Sequence, residues 1–204
     1  MNSENTCSIM DVFPVRMMIE ERNKPLSVDE LKYVSDIDYY VGNTFYISQD
    51  DYVLNKKRLS SIRRFIEKSL DKYMKEVLHS SAKLRITNSW INIEHKGMSH
   101  PKHNHANSFL SGVFYFTDVR ESPLVVYNPS SFSRAWDYKP NSFNSFNSYK
   151  WTVPMNKNSC VIFPSTLEHS VDTHNDEKIR ISLSFNSFFD SSIGSSEQRT
   201  TLTF

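Results

Sequence analysis

The chain has 204 residues, with 24 Lys and Arg against 23 Asp and Glu, a formal net charge of +1. That length suits one compact domain, and so even a balance gives no general pull toward nucleic acid or an anionic membrane. Aromatic residues make up 13% of the chain and glycines number only 4, which favours a β-rich, aromatic-packed fold over a Gly-loop nucleotide binder, and no GxGxxG or P-loop pattern occurs.

In chain order, Met1 to Asn5 lack a basic start and an apolar signal core, and no apolar stretch approaches membrane-spanning length. A soluble, cytoplasmic protein with no membrane partner is expected. Cys7 and Cys160 are far apart and form no disulfide framework, which suits a reducing interior. Cys160 lies in the apolar run Cys160-Val161-Ile162-Phe163 and is expected to be a buried free thiol. Residues 1–83 read as a helical N-terminal support region. Ser27-Val28-Asp29-Glu30 has capping-box spacing, followed by Leu31, Val34 and Ile37 as a short apolar face. Residues 55–78 are the clearest helix, because Leu59, Ile62, Ile66, Leu70, Tyr73 and Val77 recur at steps of three or four. The Lys and Arg between them are interleaved with acids and read as a solvated face.

After residue 84 the period changes. Leu84–Ile86, Trp90–Ile93, Phe109–Phe116, Leu124–Tyr127, Trp151–Val153 and Cys160–Phe163 read as strands, and Ile179–Phe185 closes the set with strict alternation. Short strands at this spacing predict a sandwich or barrel, a jelly roll being one such double sheet, over residues 84–189. The Asn/Ser/aromatic stretch 141–149 has too few units for a solenoid and is a loop, either a lid over a pocket or a surface insertion. The Ser/Thr-rich residues 190–204 read as a tail.

The histidines carry the chemistry. His95, His100, His103 and His105 crowd one segment, and His169 and His174 lie near the last strands. His103 and His105 are two residues apart, so on an extended segment they point the same way. The cluster reads as a metal site, with a chance surface patch or a structural zinc as alternatives; the zinc reading lacks cysteine pairs. His100 is off the two-residue step and precedes Pro101, so it is left as a neighbour. Arg180, Ser182 and Ser184 share one face of a strand, and an arginine fork with a hydroxyl beside it suits a carboxylate. The plain alternative is an ordinary salt bridge from Arg180 to Asp172 or Asp176.

From Ser89 to Asn186 the chain resembles the 2-oxoglutarate–Fe(II) oxygenases, a double-stranded β-helix family with bacterial and phage members. The matching residues are Trp90-Ile91-Asn92, Gly97, His103-Asn104-His105, Ser111-Gly112-Val113-Phe114-Tyr115, Phe163-Pro164-Ser165, His169 and Arg180-Ile181-Ser182-Leu183-Ser184-Phe185-Asn186. Prolyl-4-hydroxylase-like enzymes share the wider layout, with a glycine six residues before the first ligand, as Gly97 is before His103. The resemblance implies a mostly β, cupin-like jelly roll with an α-helical N-terminal part. It also implies a dioxygenase that uses Fe(II) and 2-oxoglutarate to hydroxylate a substrate the residues do not name. By the same resemblance His103 and His169 are iron ligands, and His105 stands where the wider superfamily usually has Asp. Three histidines on the iron are preferred over recruitment of Glu168 or Asp172. Arg180 would bind the distal carboxylate of 2-oxoglutarate with Ser182 assisting, and Asn92, Ser111 and Tyr115 would be second-rank contacts. Two alternatives remain: a three-histidine, cupin-type enzyme without 2-oxoglutarate, and a non-catalytic binding module on the same fold.

Overall fold

A computed structural model describes residues 7–42, 44–119, 122–130, 135 and 137–203. Its elements run β1 (Met18–Glu21), α1 (Val28–Asp36), β2 (Tyr39–Val41), β3 (Tyr46–Ser48), α2 (Ser60–Glu76), β4 (Leu84–Glu94), β5 (His100–His103), β6 (Leu110–Tyr115), β7 (Leu124–Tyr127), β8 (Lys150–Val153), β9 (Ser159–Pro164), β10 (His169–Val171) and β11 (Arg180–Phe189). The strands form a seven-stranded sheet, β1-β9-β6-β11-β4-β3-β2, and a four-stranded sheet, β5-β10-β7-β8. All pairings between these strands are antiparallel. This is the mostly β, double-stranded β-helix architecture expected from the sequence.

Period-two alternation divides the core. On β6, Leu110, Phe114 and, just beyond it, Phe116 join Cys160 and Ile162 of β9 and Leu183 and Phe185 of β11 on the outer face, where they pack with Ile62, Ile66, Leu70 and Tyr73 of α2. Val113 and Tyr115, one residue out of phase, face inward with Val161 and Phe163 and meet Leu124, Val126 and Val153 of the small sheet. Gly112 is required where β6 passes between its neighbours: a Cβ there would lie 2.3 Å from Phe185 Cζ and 2.6 Å from the Val161 carbonyl. On β4 and β11 the inward residues are Trp90, Asn92 and Glu94 and Arg180, Ser182 and Ser184. Polarity on these two neighbouring strands, against Val113, Tyr115, Val161 and Phe163 on β6 and β9, gathers the polar chemistry along β4 and β11.

The capping box forms as expected, since Ser27 Oγ accepts from the Glu30 N–H and the Glu30 carboxylate accepts from the Ser27 N–H. Glu30 also takes the buried Arg22 guanidinium at 2.7 Å. Arg22 reaches Ser61 and Asn158 as well, which bolts the N-terminal segment to the sheet and to α2. The helix expected over 55–78 begins later. Residues Val53–Asn55 and Lys57–Leu59 form two 3-10 turns, because Val53, Leu54 and Leu59 are buried and the Leu54 N–H is bound by Ser89 Oγ. At its other end His79 adopts φ 49° and the Ser80 N–H returns to the Met74 carbonyl, a helix-stop geometry. The two expected strands 84–86 and 90–93 are one continuous strand, β4. Strands β1, β2, β3, β5 and β10 were not expected; the first three extend the large sheet at its two edges, and the last two pair in the small one. Cys160 is buried and free, Cys7 exposed and free. No helix among the described residues is long and apolar enough to cross a membrane.

Candidate metal centre

The small sheet delivers the histidines. His103 ends β5 and pairs across the ladder with His169, the first residue of β10. His105 lies two residues past His103, and its N–H is held by the Ser165 carbonyl at 3.0 Å. The three rings gather with centroids 4.3 Å (His103–His169), 5.0 Å (His105–His169) and 5.2 Å (His103–His105) apart. One nitrogen from each lies within 4.8 Å of the others. Their tautomers are set by the backbone. His103 Nδ1 donates to the Pro101 carbonyl at 2.8 Å and His169 Nδ1 to the Leu167 carbonyl at 2.9 Å. Each bond commits the proton to Nδ1 and leaves Nε2 as a lone pair aimed at the cluster, the outer-shell arrangement that orients histidine ligands. His105 Nε2 and His169 Nε2 are 3.3 Å apart. Ligand nitrogens about 2.1 Å from a shared ion stand roughly 3.0–3.4 Å apart, so the spacing fits. Burial first, and then the neighbouring His103, push the His105 pKa down to about 4. Burial also brings His169 down to about 3 against the opposing pull of the Leu167 carbonyl. Both rings are neutral and metal-ready at ordinary pH.

These residues open on a cavity of about 400 Å³ whose lining also includes Asn92, His100, Arg180, Ser182 and Ser184. Arg180 is 2% exposed. Its Nε donates to the Ser122 carbonyl at 3.3 Å, and Nη1 reaches Ser182 Oγ at 3.2 Å. Ser122 Oγ is itself held by His174 Nδ1 at 2.6 Å, which uses a histidine that stands apart from the metal cluster. Asn92 Nδ2 donates to Ser184 Oγ at 2.9 Å, and its Oδ1 is buried with no partner among the described residues. Tyr115 lies behind the arginine, its ring 5.4 Å from the guanidinium carbon.

Two departures from the sequence reading stand out. The salt-bridge partner of Arg180 is neither Asp172 nor Asp176. It is Glu94, which the sequence reading did not single out, with Oε1 2.5 Å from Nη1. Asp172 instead pairs with Lys150, and Asp176 Oδ1 accepts from the Lys178 N–H. The signal was present: Glu94 is two residues past Asn92 and therefore on the same face of β4. His100 lies outside the histidine cluster but lines the cavity, stacks on Phe45 and sits 2.8 Å from Glu94 Oε1. Ser111, expected as a co-substrate contact, is not brought to the cavity. Its hydroxyl is engaged by Ser165 at 2.8 Å and Asn186 at 2.8 Å, within a polar cluster that also holds Ser108. Nothing from the 141–149 loop lines the cavity. That loop is folded on its own amides, with Asn144 Oδ1 accepting from the Phe146 and Asn147 N–H groups.

The residues fit the groups such a site takes. Nitrogen lone pairs suit Fe(II), and an arginine with serine hydroxyls in the same cavity suits the distal carboxylate of a 2-oxo diacid.

Solved structures share this fold. The backbone is similar to HygX from Streptomyces hygroscopicus, solved with nickel and 2-oxoglutarate bound, at 9% identity and a TM-score of 0.60 over 93% of this chain and 92% of that one. It is also similar to a 2OG-Fe(II) oxygenase family oxidoreductase from Burkholderia pseudomallei, at 13% identity and a TM-score of 0.56 over 84% and 83% of the two chains. A Pseudomonas putida prolyl-4-hydroxylase matches at 10% identity and a TM-score of 0.55 over 86% and 92%. No curated protein matches the sequence. Residues 88–186 match the family described as "Putative 2OG-Fe(II) oxygenase". Over that segment, just under half of the chain, which carries all three clustered histidines and Arg180, the chain is similar to the Fe(II)- and 2-oxoglutarate-dependent oxygenases, a family of oxidoreductases.

Proposed function

We propose that the chain is a dioxygenase that hydroxylates its substrate while converting 2-oxoglutarate to succinate and CO2. The observation that carries this reading is the shared cavity, lined both by three converging imidazoles and by Arg180 with Ser182. His103, His105 and His169 would hold the iron. Arg180 and Ser182 would hold the distal carboxylate, with Asn92 beside them and Tyr115 behind the guanidinium. When bound, Fe(II) with the 2-oxo acid would let O2 act as the oxidant, one oxygen atom going to succinate and the other to the substrate; the protein supplies placement and exclusion of water. The Pro101 and Leu167 carbonyls fix the ring directions, and the aromatic wall of Phe45 and Trp90 keeps the cavity apolar around the polar groups. Replacing a carboxylate ligand by the neutral His105 leaves one more positive charge on the metal centre, which shifts its redox potential.

Anaerobic titration of the Fe(II) protein with 2-oxoglutarate tests this directly. The expected result is a visible charge-transfer band that saturates, and release of succinate once oxygen and a substrate are supplied. Absence of the band in iron-loaded protein refutes it. A second reading is a three-histidine metalloenzyme that takes its substrate directly on the iron. It draws on the Glu94–Arg180 pair, which leaves the arginine less free for a diacid; that reading expects no band at any 2-oxoglutarate concentration.

A further inference from the structure

Glu94, buried against Arg180 and outside the cavity lining, is a charged group for which the oxygenase reading has no use. It faces Arg180 across the β4–β11 ladder and is 0% exposed. Its Oε1 takes Arg180 Nη1 and lies close to His100 Nε2, without meeting hydrogen-bond geometry there. Its Oε2 is buried with no partner among the described residues. Burial works to raise the Glu94 pKa, but His100 and the Arg180 charge outweigh it and hold the carboxyl below the usual range. The carboxylate is therefore charged, and it neutralises the guanidinium before any ligand arrives.

The charge count of the loaded cavity gives Glu94 a purpose. Neutral imidazoles leave a divalent ion with its full charge, and Arg180 adds one more. A 2-oxo diacid cancels two of these three positive charges, and Glu94 cancels the third. Arg180 Nη2 takes no acceptor among the described residues, so the fork keeps a free side for a ligand carboxylate while its other side is held internally.

We propose that Glu94 is a built-in competitor for the distal carboxylate of the co-substrate. It positions Arg180 between turnovers and weakens that arginine's grip on dicarboxylates, on 2-oxoglutarate entering and on succinate leaving. Two carboxylates sharing one buried guanidinium repel each other, because low-dielectric surroundings screen them poorly. An arginine left unpaired in the same place would carry a buried charge with nothing to offset it. Glu94 thus trades co-substrate affinity for an arginine that is in position before the ligand comes and for faster product exchange, a step that limits many enzymes. The proposal rests on the oxygenase reading above.

The test compares wild type with Glu94→Gln, both loaded with Fe(II) and kept anaerobic, by calorimetric titration. The probes are 2-oxoglutarate, succinate and 2-oxoglutaramate, whose distal carboxylate is an amide. In the wild type the amide is expected to bind within about tenfold of the diacid, because Arg180 is already neutralised. In Glu94→Gln both diacids should tighten by about tenfold while the amide shifts less than about twofold. A folded Glu94→Gln that binds diacids no better, or worse, overturns the proposal. So does a wild type that prefers the diacid over the amide by more than about a hundredfold, and this arm stands even if Glu94→Gln does not fold. A wild type that holds Fe(II) but binds neither 2-oxo acid sinks the oxygenase reading itself, and the role of Glu94 with it.

Discussion

Glu94 and Arg180 are direct cross-strand partners on β4 and β11, joined at 2.5 Å and both buried, with Arg180 alone of the two lining the histidine cavity. Breaking such a pair from one side strands the other charge. Arg180→Met is expected to destabilise the protein by about 3–5 kcal/mol. Adding Glu94→Gln to it should recover most of that loss, because no buried charge is then left over. Urea unfolding of the two single variants and the double variant checks this; a double variant less stable than Arg180→Met alone contradicts it. Arg180→Met and the double variant should both retain metal and lose most of their affinity for 2-oxoglutarate.

The metal should depend on each of two carbonyl-locked imidazoles. His103→Ala or His169→Ala is expected to lower Fe(II) affinity by at least about a hundredfold while the metal-free fold persists, since two ligands remain where three converged. Equilibrium dialysis gives the affinity and circular dichroism the fold. Wild-type affinity in either variant would remove that histidine from the ligand set.

Acid should weaken the metal-free protein through two of the same rings. His105 and His169 have folded-state pKa values near 4 and 3, below the value of about 6.5 for an unfolded histidine. Between those values the unfolded chain binds protons that the folded chain refuses, so folding stability rises with pH across that window. It is fully present above about 6.5 and falls progressively as the pH drops toward 4. Unfolding midpoints of metal-free protein from pH 7 to pH 4 test this, with His105→Gln expected to show a shallower decline. Equal slopes in wild type and variant would show that His105 does not contribute.

Gly112 offers a test of the scaffold. A methyl group there meets a backbone carbonyl at 2.6 Å as well as the Phe185 ring, and the carbonyl cannot swing aside without breaking the β6–β9 ladder. Gly112→Ala should cost about 3 kcal/mol, read from the denaturation midpoint. A loss below about 0.5 kcal/mol would mean the strands separate more easily than their packing implies.

Much of this fold was written in local patterns. The alternation on β6, β9 and β11 and the three-four spacing on α2 identified elements whose faces are now seen in the core. Ser27 and Glu30 announced the start of α1. What the pattern could not show was partnership over long separations. Strands β1 and β3 are short, and they are strands because β9 and β4 offer edges to them, which no property of Met18–Glu21 or Tyr46–Ser48 reveals alone. In the site, the two-residue step from His103 to His105 was legible, whereas the nearness of His169 depends on β10 pairing with β5. Glu94 was missed for a different reason. A carboxylate at the end of a strand looks solvent-bound until the strand opposite is known to place a guanidinium against it. Ser111 misled in the reverse sense: it is on the inward face, but Ser165 and Asn186 reach its hydroxyl first.

The Leu167 carbonyl has a consequence for the neighbouring ring of His105. Because the His169 proton is committed to Leu167, the 3.3 Å contact between His169 and His105 requires His105 Nε2 to carry the proton when no ion is present. That proton fills the gap between the two Nε2 atoms, so for His105 Nε2 to bind a cation the proton would first have to leave it. The two rings are therefore held together by a hydrogen bond of their own, anchored through His169 to the Leu167 carbonyl.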